Sequence, residues 1–316
     1  MFALVIDDGS LVWRERPDPV PGPGDVLVEV VAAGLNAADL LQRRGLYPAP
    51  PGVPADVPGL ELAGRVVAVG DGVDASWVGR PVAALTGGGA QATHCVVPAE
   101  HLLRVPEGVD LVEAGGFPEA FCTAHDAVVT QGALAAGERL LVTGAAGGVG
   151  CAAVQIGRAL GATVVALTRD RRHDEALRAL GADETVVVDD LPTTEPVDVV
   201  LELVGAATLP AVLRRVRPHG RVVVVGVGSG ARVELDLLAV MGSRLTLTGS
   251  TLRGRTRAEK ADVVARVARD LGPRWRDGTV RVPVAEVVDA RDGSRAYDDF
   301  ARPGRLGKIV LTLGPA

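Results

Sequence analysis

The 316-residue chain has little cysteine, lysine or aromatic side chain, and each shortage removes a class of reading. Its three cysteines, Cys95, Cys122 and Cys151, lie far apart and form no C-x-x-C pair, so neither a disulfide framework nor a thiolate zinc cluster is expected; all three read as small buried apolar residues. Aromatic residues make up 3%, and Tyr47 and Tyr297 are the only tyrosines. Among 33 basic residues only Lys260 and Lys308 are lysines, a composition bias to which the sequence attaches no mechanism. No block of basic residues exceeds a few positions and the net charge is −6, so no nucleic-acid or polybasic-membrane partner is expected. Unbroken apolar runs such as Val222 to Val225 fall far short of the roughly 20 residues a spanning helix needs. The opening MFALVIDDGS lacks a charged n-region and a cleavable apolar stretch, which makes the cytoplasm the expected location.

A hydrophobic share of 47% beside 23% charged residues describes a folded, soluble chain, and the length suggests two domains. Residues 1 to 118 carry short alternating runs (Phe2 to Ile6, Val26 to Val31, Leu62 to Val69, Val82 to Leu85, His94 to Val97) separated by Pro and Gly clusters, the texture of a small barrel or sandwich. From Glu119 strands and helices alternate. Helices are expected over Glu119 to Val129, Cys151 to Leu160, Asp174 to Leu180 and Leu209 to Val216. Strands are expected at Leu140 to Val142, Thr163 to Leu167, Thr185 to Val188, Val197 to Leu201, Val222 to Val225 and Leu245 to Thr248. Apolar β-branched runs of this kind suit a parallel sheet covered on both faces. After a helix over Ala258 to Leu271 the texture returns to β at Val280 to Val284 and Ile309 to Leu313, with a helix near Ser294 to Phe300. The expected organisation is a β-rich domain built from 1–118 and 258–316, interrupted by a nucleotide domain over 119–257, with the active cleft between domains at the carboxyl ends of the parallel strands.

The stretch Glu138 to Leu160, ERLLVTGAAGGVGCAAVQIGRAL, reads as strand, tight glycine turn and helix. Glycines let backbone approach a ligand, and the free N–H groups and positive dipole at the helix start favour a pyrophosphate. The G-x-G-x-x-G pattern appears as Ala145-Ala146-Gly147-Gly148-Val149-Gly150, with alanine in the first slot. A dinucleotide is the expected ligand, carried by Ala146, Gly147, Gly148 and Val149.

Four segments in order, GLNAADLLQRRGLYP (Gly34 to Pro48), PGLELAGRVVAVG (Pro58 to Gly70), VTGAAGGVG and RLGKIVL (Arg305 to Leu311), resemble the medium-chain dehydrogenase/reductase superfamily, and within it the zinc-free quinone oxidoreductases related to zeta-crystallin. LTGSTLRGRTRAEK (Leu247 to Lys260) is similar to the branch typified by the p53-inducible quinone reductase. The resemblance implies an α/β fold in which a GroES-like β-barrel domain joins a doubly wound Rossmann domain. It also implies a homodimer paired through the strand Leu245 to Gly249. At the three positions where zinc-dependent relatives place Cys, His and Cys, this chain has Asn36, Leu60 and Glu119, which cannot make the N/S tetrahedral site zinc prefers. No metal is expected.

The second Rossmann strand ends in Thr168, followed by Arg169, Asp170, Arg171, Arg172 and His173. A hydroxyl and guanidinium groups suit a 2′-phosphate, so NADPH is the expected cofactor, with Arg169 the foremost contact and Thr168 and His173 beside it. By the same resemblance Thr123, Gly226 and Val227 border the nicotinamide. Tyr47 matches the substrate-side loop and, protonated at neutral pH, could donate to the acceptor oxygen; packing beneath a proline-rich loop is an equal alternative. Asn36 and Asp39 could hydrogen-bond cofactor or substrate, although capping fits Asp39 equally well. His94, where relatives usually carry an aromatic residue, reads as a barrel-surface side chain. The expected activity is metal-free hydride transfer from NADPH to a quinone. The alternatives are reduction of activated C=C bonds in enones or enoyl thioesters, and NADPH binding without turnover.

Overall fold

The computed structural model describes residues 1–314 and divides into two units, one formed by Met1–Cys122 together with the chain from Leu252 onward, the other by Thr123–Thr251. The first unit opens with an antiparallel hairpin of β1 (Phe2–Asp7) and β2 (Ser10–Glu15). Asp8 and Gly9 both adopt positive φ (47 and 75), the conformation a two-residue turn needs to match strand twist. There follow β3 (Asp25–Gly34), α1 (Ala37–Arg43), β4 (Glu61–Val69), β5 (Pro81–Leu85), β6 (His94–Pro98), β7 (Leu102–Arg104), α2 (Leu111–Ala114) and α3 (Pro118–His125).

The second unit holds a π-helical turn over Asp126–Gln131, then β8 (Arg139–Thr143), α4 (Gly148–Ala159), β9 (Thr163–Thr168), α5 (Asp174–Leu180), β10 (Glu184–Val187), β11 (Val197–Glu202), α6 (Leu209–Leu213), β12 (Val216–Val224), α7 (Leu237–Ser243) and β13 (Thr246–Gly249). The chain then completes the first unit with α8 (Arg257–Arg276), β14 (Val284–Asp289), α9 (Gly293–Ala301) and β15 (Lys308–Thr312).

In the first unit a seven-stranded sheet runs β14-β15-β3-β4-β5-β7, with β6 also pairing β3. Along β3, Val26, Val28, Val30 and Ala32 alternate inward and join Leu62, Val66, Val82 and Ile309 in the core. In the second unit six parallel strands run β10-β9-β8-β11-β12-β13. Numbered within the unit that order is 3-2-1-4-5-6, the doubly wound arrangement, and it places a topological switch point between β8 and β11. Its central strands β8, β9 and β11 are buried on both faces, Leu141, Val165 and Val200 among them, as their unbroken apolar sequence requires.

Three elements differ from the sequence expectation. The helix from Leu209 stops at Leu213 because Val216 already pairs with Val197 at the start of β12. The stretch Val280 to Val284 forms no ladder: Val280 and Val282 are buried, but Pro283 has no N–H and its carbonyl accepts from Lys308, so β14 begins only at Val284. The helix expected over Glu119 to Val129 changes to π geometry at Asp126.

Candidate active site

At the carboxyl end of β8 the chain turns sharply through Gly144, whose φ of 59 favours glycine. Helix α4 then starts from Gly147 with no side-chain cap and no acidic residue in its first turn. The N–H groups of Gly148, Val149 and Gly150 have no protein acceptor among the described residues, so the helix start offers donors and positive potential to an anion. A Cβ at Gly150 would fall 2.5 Å from the Gly144 oxygen and 2.6 Å from the Ala145 Cα. Glycine here lets the turn close upon the helix. At Gly147 a Cβ would meet only the Gly144 oxygen, at 3.4 Å, which leaves room beside that backbone; Ala146 and Val149 are half-buried at the same rim. These residues fit a pyrophosphate.

The carboxyl ends of β11 and β12 complete the rim. Glu202 is fully buried, and its Oε1 accepts from Val204 N, Gly205 N, Thr208 Oγ1 and Thr143 Oγ1 at 2.7 to 2.9 Å, tying the β8 and β11 ends together. Sequence reasoning passes over this carboxylate. Gly226 follows β12 with its N–H on the Glu202 carbonyl, and a Cβ there would strike the Leu203 oxygen at 2.3 Å. Val227 beside it is exposed, while Thr123 is 9% exposed.

After β9 the charged run sorts itself. Arg171 pairs with Asp190 and Asp174, and Arg172 with Asp170, whose carboxyl the Arg172 hydrogen bonds hold below its usual range. Arg169 is exposed and makes no ion pair among the described residues, so one guanidinium of the run remains uncommitted. The Thr168 hydroxyl donates to the Asp170 carbonyl at 2.9 Å, and His173 is the N-cap residue of α5.

In the barrel unit, Asn36 and Asp39 form the capping box of α1: Asn36 N donates to Asp39 Oδ2 (2.8 Å), and Gly59 N to Asp39 Oδ1 (3.1 Å). Asp39 is fully buried, and burial pushes its carboxyl up to about 6 even though these N–H groups and Lys308 favour the charge. The Asn36 amide donates to Glu61 Oε1 (2.9 Å) while its Oδ1 accepts from Lys308 Nζ (2.7 Å). Lys308 also donates to the Leu35 carbonyl (2.7 Å) and pairs with Glu61 at 2.5 Å; Lys308 is 3% exposed and Glu61 0%. Glu61 Oε2 accepts from Glu119 N (2.8 Å). Leu60 is an apolar core residue. The corner is thus filled by an amide, an alkyl group and a closed ion pair. Glu61 and Lys308 escape a motif reading because they lie 247 positions apart in number; Lys308 being one of only two lysines was the available signal.

Tyr47 lies half-buried with the Arg253 guanidinium 5.0 Å from its ring centroid. Arg253 donates to the Tyr47 carbonyl (2.9 Å), the Gly87 carbonyl (2.8 Å) and Gln42 Oε1 (2.6 Å), which pins the loop that carries Tyr47. The Tyr47 hydroxyl makes no hydrogen bond among the described residues. Burial and the nearby Glu119 raise its pKa, so it keeps its proton at neutral pH. His94 lies on β6 opposite Glu29 of β3, with its Nδ1 3.2 Å from Thr93 Oγ1.

Two family models match the chain: "Alcohol dehydrogenase GroES-like domain" over residues 22–107 and "Zinc-binding dehydrogenase" over residues 148–269. A quinone oxidoreductase of Pseudomonas aeruginosa is 32% identical over 322 residues, spanning 98% of each chain. The chain belongs to the quinone oxidoreductase-like medium-chain dehydrogenases/reductases. It shares 32% identity and a TM-score of 0.86 with the quinone oxidoreductase of Thermus thermophilus, a protein solved also in complex with NADPH, over 99% of this chain and 100% of that one. The polyketide synthase GfsB of Streptomyces halstedii is 36% identical over 312 residues, 96% of this chain, yet the chain spans only 5% of that relative's length. This member of the superfamily is an oxidoreductase whose Rossmann unit is built for a nicotinamide dinucleotide. No helix among the described residues is long and apolar enough to cross a membrane.

Proposed function

We propose that this oxidoreductase reduces quinones with NADPH and without a metal. The observation that carries the reading is the Tyr47 hydroxyl, protonated, half-buried and without a protein partner in the substrate-side loop. Bound NADPH supplies the hydride. The protein's part is to hold the acceptor, exclude water and donate a hydrogen bond to the oxygen on which charge develops, and Tyr47 has the free O–H for that task. Asn36, Leu60 and Glu119 offer no N/S donor set for zinc, and the Asn36 amide is already engaged on both sides by Glu61 and Lys308. NADPH is favoured over NADH by Arg169, the uncommitted guanidinium, and by Arg172, which offsets the Asp170 charge next to it.

The likeness to GfsB favours a second reading, reduction of the C=C bond of an enoyl thioester. Consumption of NADPH with 1,4-benzoquinone and not with a crotonyl thioester supports the first reading, and the reverse outcome replaces it with the second. Tight NADPH binding with turnover of neither acceptor makes the chain a binding protein. We further propose a homodimer formed through β13, an edge strand with Leu247 exposed, flanked by α7 with Leu237, Leu238 and Met241 exposed. Elution as a monomer at micromolar concentration overturns it.

A further inference from the structure

The chain carries its positive charge almost entirely as arginine and keeps only two lysines, and both are buried: Lys308 is 3% exposed and Lys260 7%. Lysine is ordinarily among the most exposed of side chains, so two lysines buried along their stems in an arginine-rich protein are unusual. Their surroundings differ. Lys308 is saturated by Leu35 O, Asn36 Oδ1 and Glu61 Oε1. Lys260, in the first turn of α8, makes no side-chain hydrogen bond or ion pair among the described residues. Burial lowers its pKa, the charge of nearby Glu119 raises it and that of Arg253 lowers it.

The neighbourhood of Lys260 is that of Tyr47. A Cβ at Gly87 would lie 3.7 Å from Lys260 Nζ, one at Gly88 would lie 3.7 Å from Arg253 Nη2, and Arg253 carries the Tyr47 ring. Arg253 itself is spent on Gly87, Tyr47 and Gln42. Two donor groups in one locality, the Tyr47 O–H and the Lys260 ammonium, therefore lack any protein acceptor among the described residues. Neither the Lys260 Nζ nor the Tyr47 hydroxyl is sealed from solvent, so both stay open to a bound acceptor.

We propose that Lys260 is the second donor, with Tyr47, to the acceptor oxygen that becomes negative during reduction, so that the site selects acceptors ending as an enolate or hydroquinone anion. The proposal rests on the acceptor-reduction reading. The acceptor carbon gains a hydride as a new C–H bond, the adjacent π pair moves toward the carbonyl, and the oxygen holds the charge until it takes a proton from solvent; in a quinone the same carbon then releases a proton to solvent, which restores the aromatic ring. An ammonium beside that oxygen attracts the charged form far more strongly than the neutral carbonyl, and this difference is the condition for lowering the barrier rather than tightening substrate binding.

The test uses the protein saturated with NADP+ and titrated with 4-nitrophenol, whose absorbance distinguishes phenolate from phenol. The wild type is expected to bind the dye as phenolate. Lys260→Met is expected to weaken phenolate binding at least tenfold and to lower kcat for 1,4-benzoquinone by roughly 10²-fold with KM little changed, while Lys260→Arg retains phenolate binding. NADP+ affinity and thermal midpoint are measured alongside, so that loss of fold is recognised. If Lys260→Met alters neither dye ionisation nor kcat by more than twofold, or if Lys260→Arg fails as fully as Met with the fold intact, the proposal is overturned. If the wild type reduces no acceptor, the reading beneath it fails, whereas the dye titration still decides whether Lys260 holds an oxyanion.

Discussion

The glycine turn of the Rossmann unit and the buried corner of the barrel unit present their chemistry in opposite ways. Around Gly144 to Gly150 the open groups are main-chain N–H donors left free by glycines at adjacent positions. In the barrel unit Asn36, Glu61 and Lys308 converge from three strand ends, and every polar group is consumed by another side chain or by backbone. A backbone-made site writes itself into a contiguous stretch of sequence, whereas a side-chain-made one is assembled by topology. The turn could therefore be read from nine residues, whereas in the corner Asn36 could be singled out by resemblance but its engagement by Glu61 and Lys308 could not, because β15 meets β3 only in the fold.

If the corner is a closed ion pair rather than a solvated cluster, removing one partner must leave a buried charge exposed to a low dielectric. Lys308→Met is expected to cost about 3–5 kcal/mol of stability in urea unfolding, with much of it recovered when Glu61→Gln is added. A loss below about 1 kcal/mol, the value of a surface pair, breaks the contrast. Next in size is Tyr47→Phe, which keeps the ring beneath Arg253 and removes only the donor; kcat for 1,4-benzoquinone should fall roughly 10²-fold with stability unchanged. Unchanged turnover returns Tyr47 to a packing role.

On the Rossmann side, Arg169→Ala is expected to raise the KM for NADPH about tenfold while leaving that for NADH alone, since a charge-assisted bond to phosphate is lost only with the former. Equal effects on both cofactors would remove Arg169 from the 2′-phosphate. The smallest effect concerns Asp39. Its pKa in the folded state, about 6, lies above the 3.8 of an unperturbed carboxyl, so the folded protein binds this proton more tightly than the unfolded chain. That contribution is fully present below about pH 4 and is lost as pH rises through 6. Relative to Asp39→Asn, the wild type should lose about 1 kcal/mol between pH 5 and pH 7, measured as the difference in thermal stability. A flat difference would mean that Asp39 titrates at an ordinary pH.

What the sequence disclosed follows the same division. The parallel strands were legible because their apolar runs are continuous, and α5 lies over Asp174 to Leu180 as its pattern indicates. Helix α1 was hidden because Asn36 and Asp39 look like ligand residues while serving as a capping box. Strand β2 was hidden because only Leu11 along it is buried, which leaves little alternation to detect. At the site, Arg169 could be singled out because the carboxylates that occupy Arg171 and Arg172 are near neighbours in the chain, or in the case of Asp190 one strand away. Glu202, Arg253 and Lys260 could not, because what makes them notable is burial and partnering that no local pattern encodes.

The split make-up of the barrel unit also sets an order on biosynthesis. Strand β3 leaves the ribosome early, yet one of its sheet neighbours, β15, and the ammonium that neutralises Glu61 are translated some 270 residues later. The six-stranded unit between them draws on one continuous stretch, Thr123–Thr251, and can close while synthesis continues. The nascent first segment must meanwhile wait with an unpaired strand edge and an uncompensated carboxylate, so the nucleotide unit is expected to mature first and the buried barrel corner last.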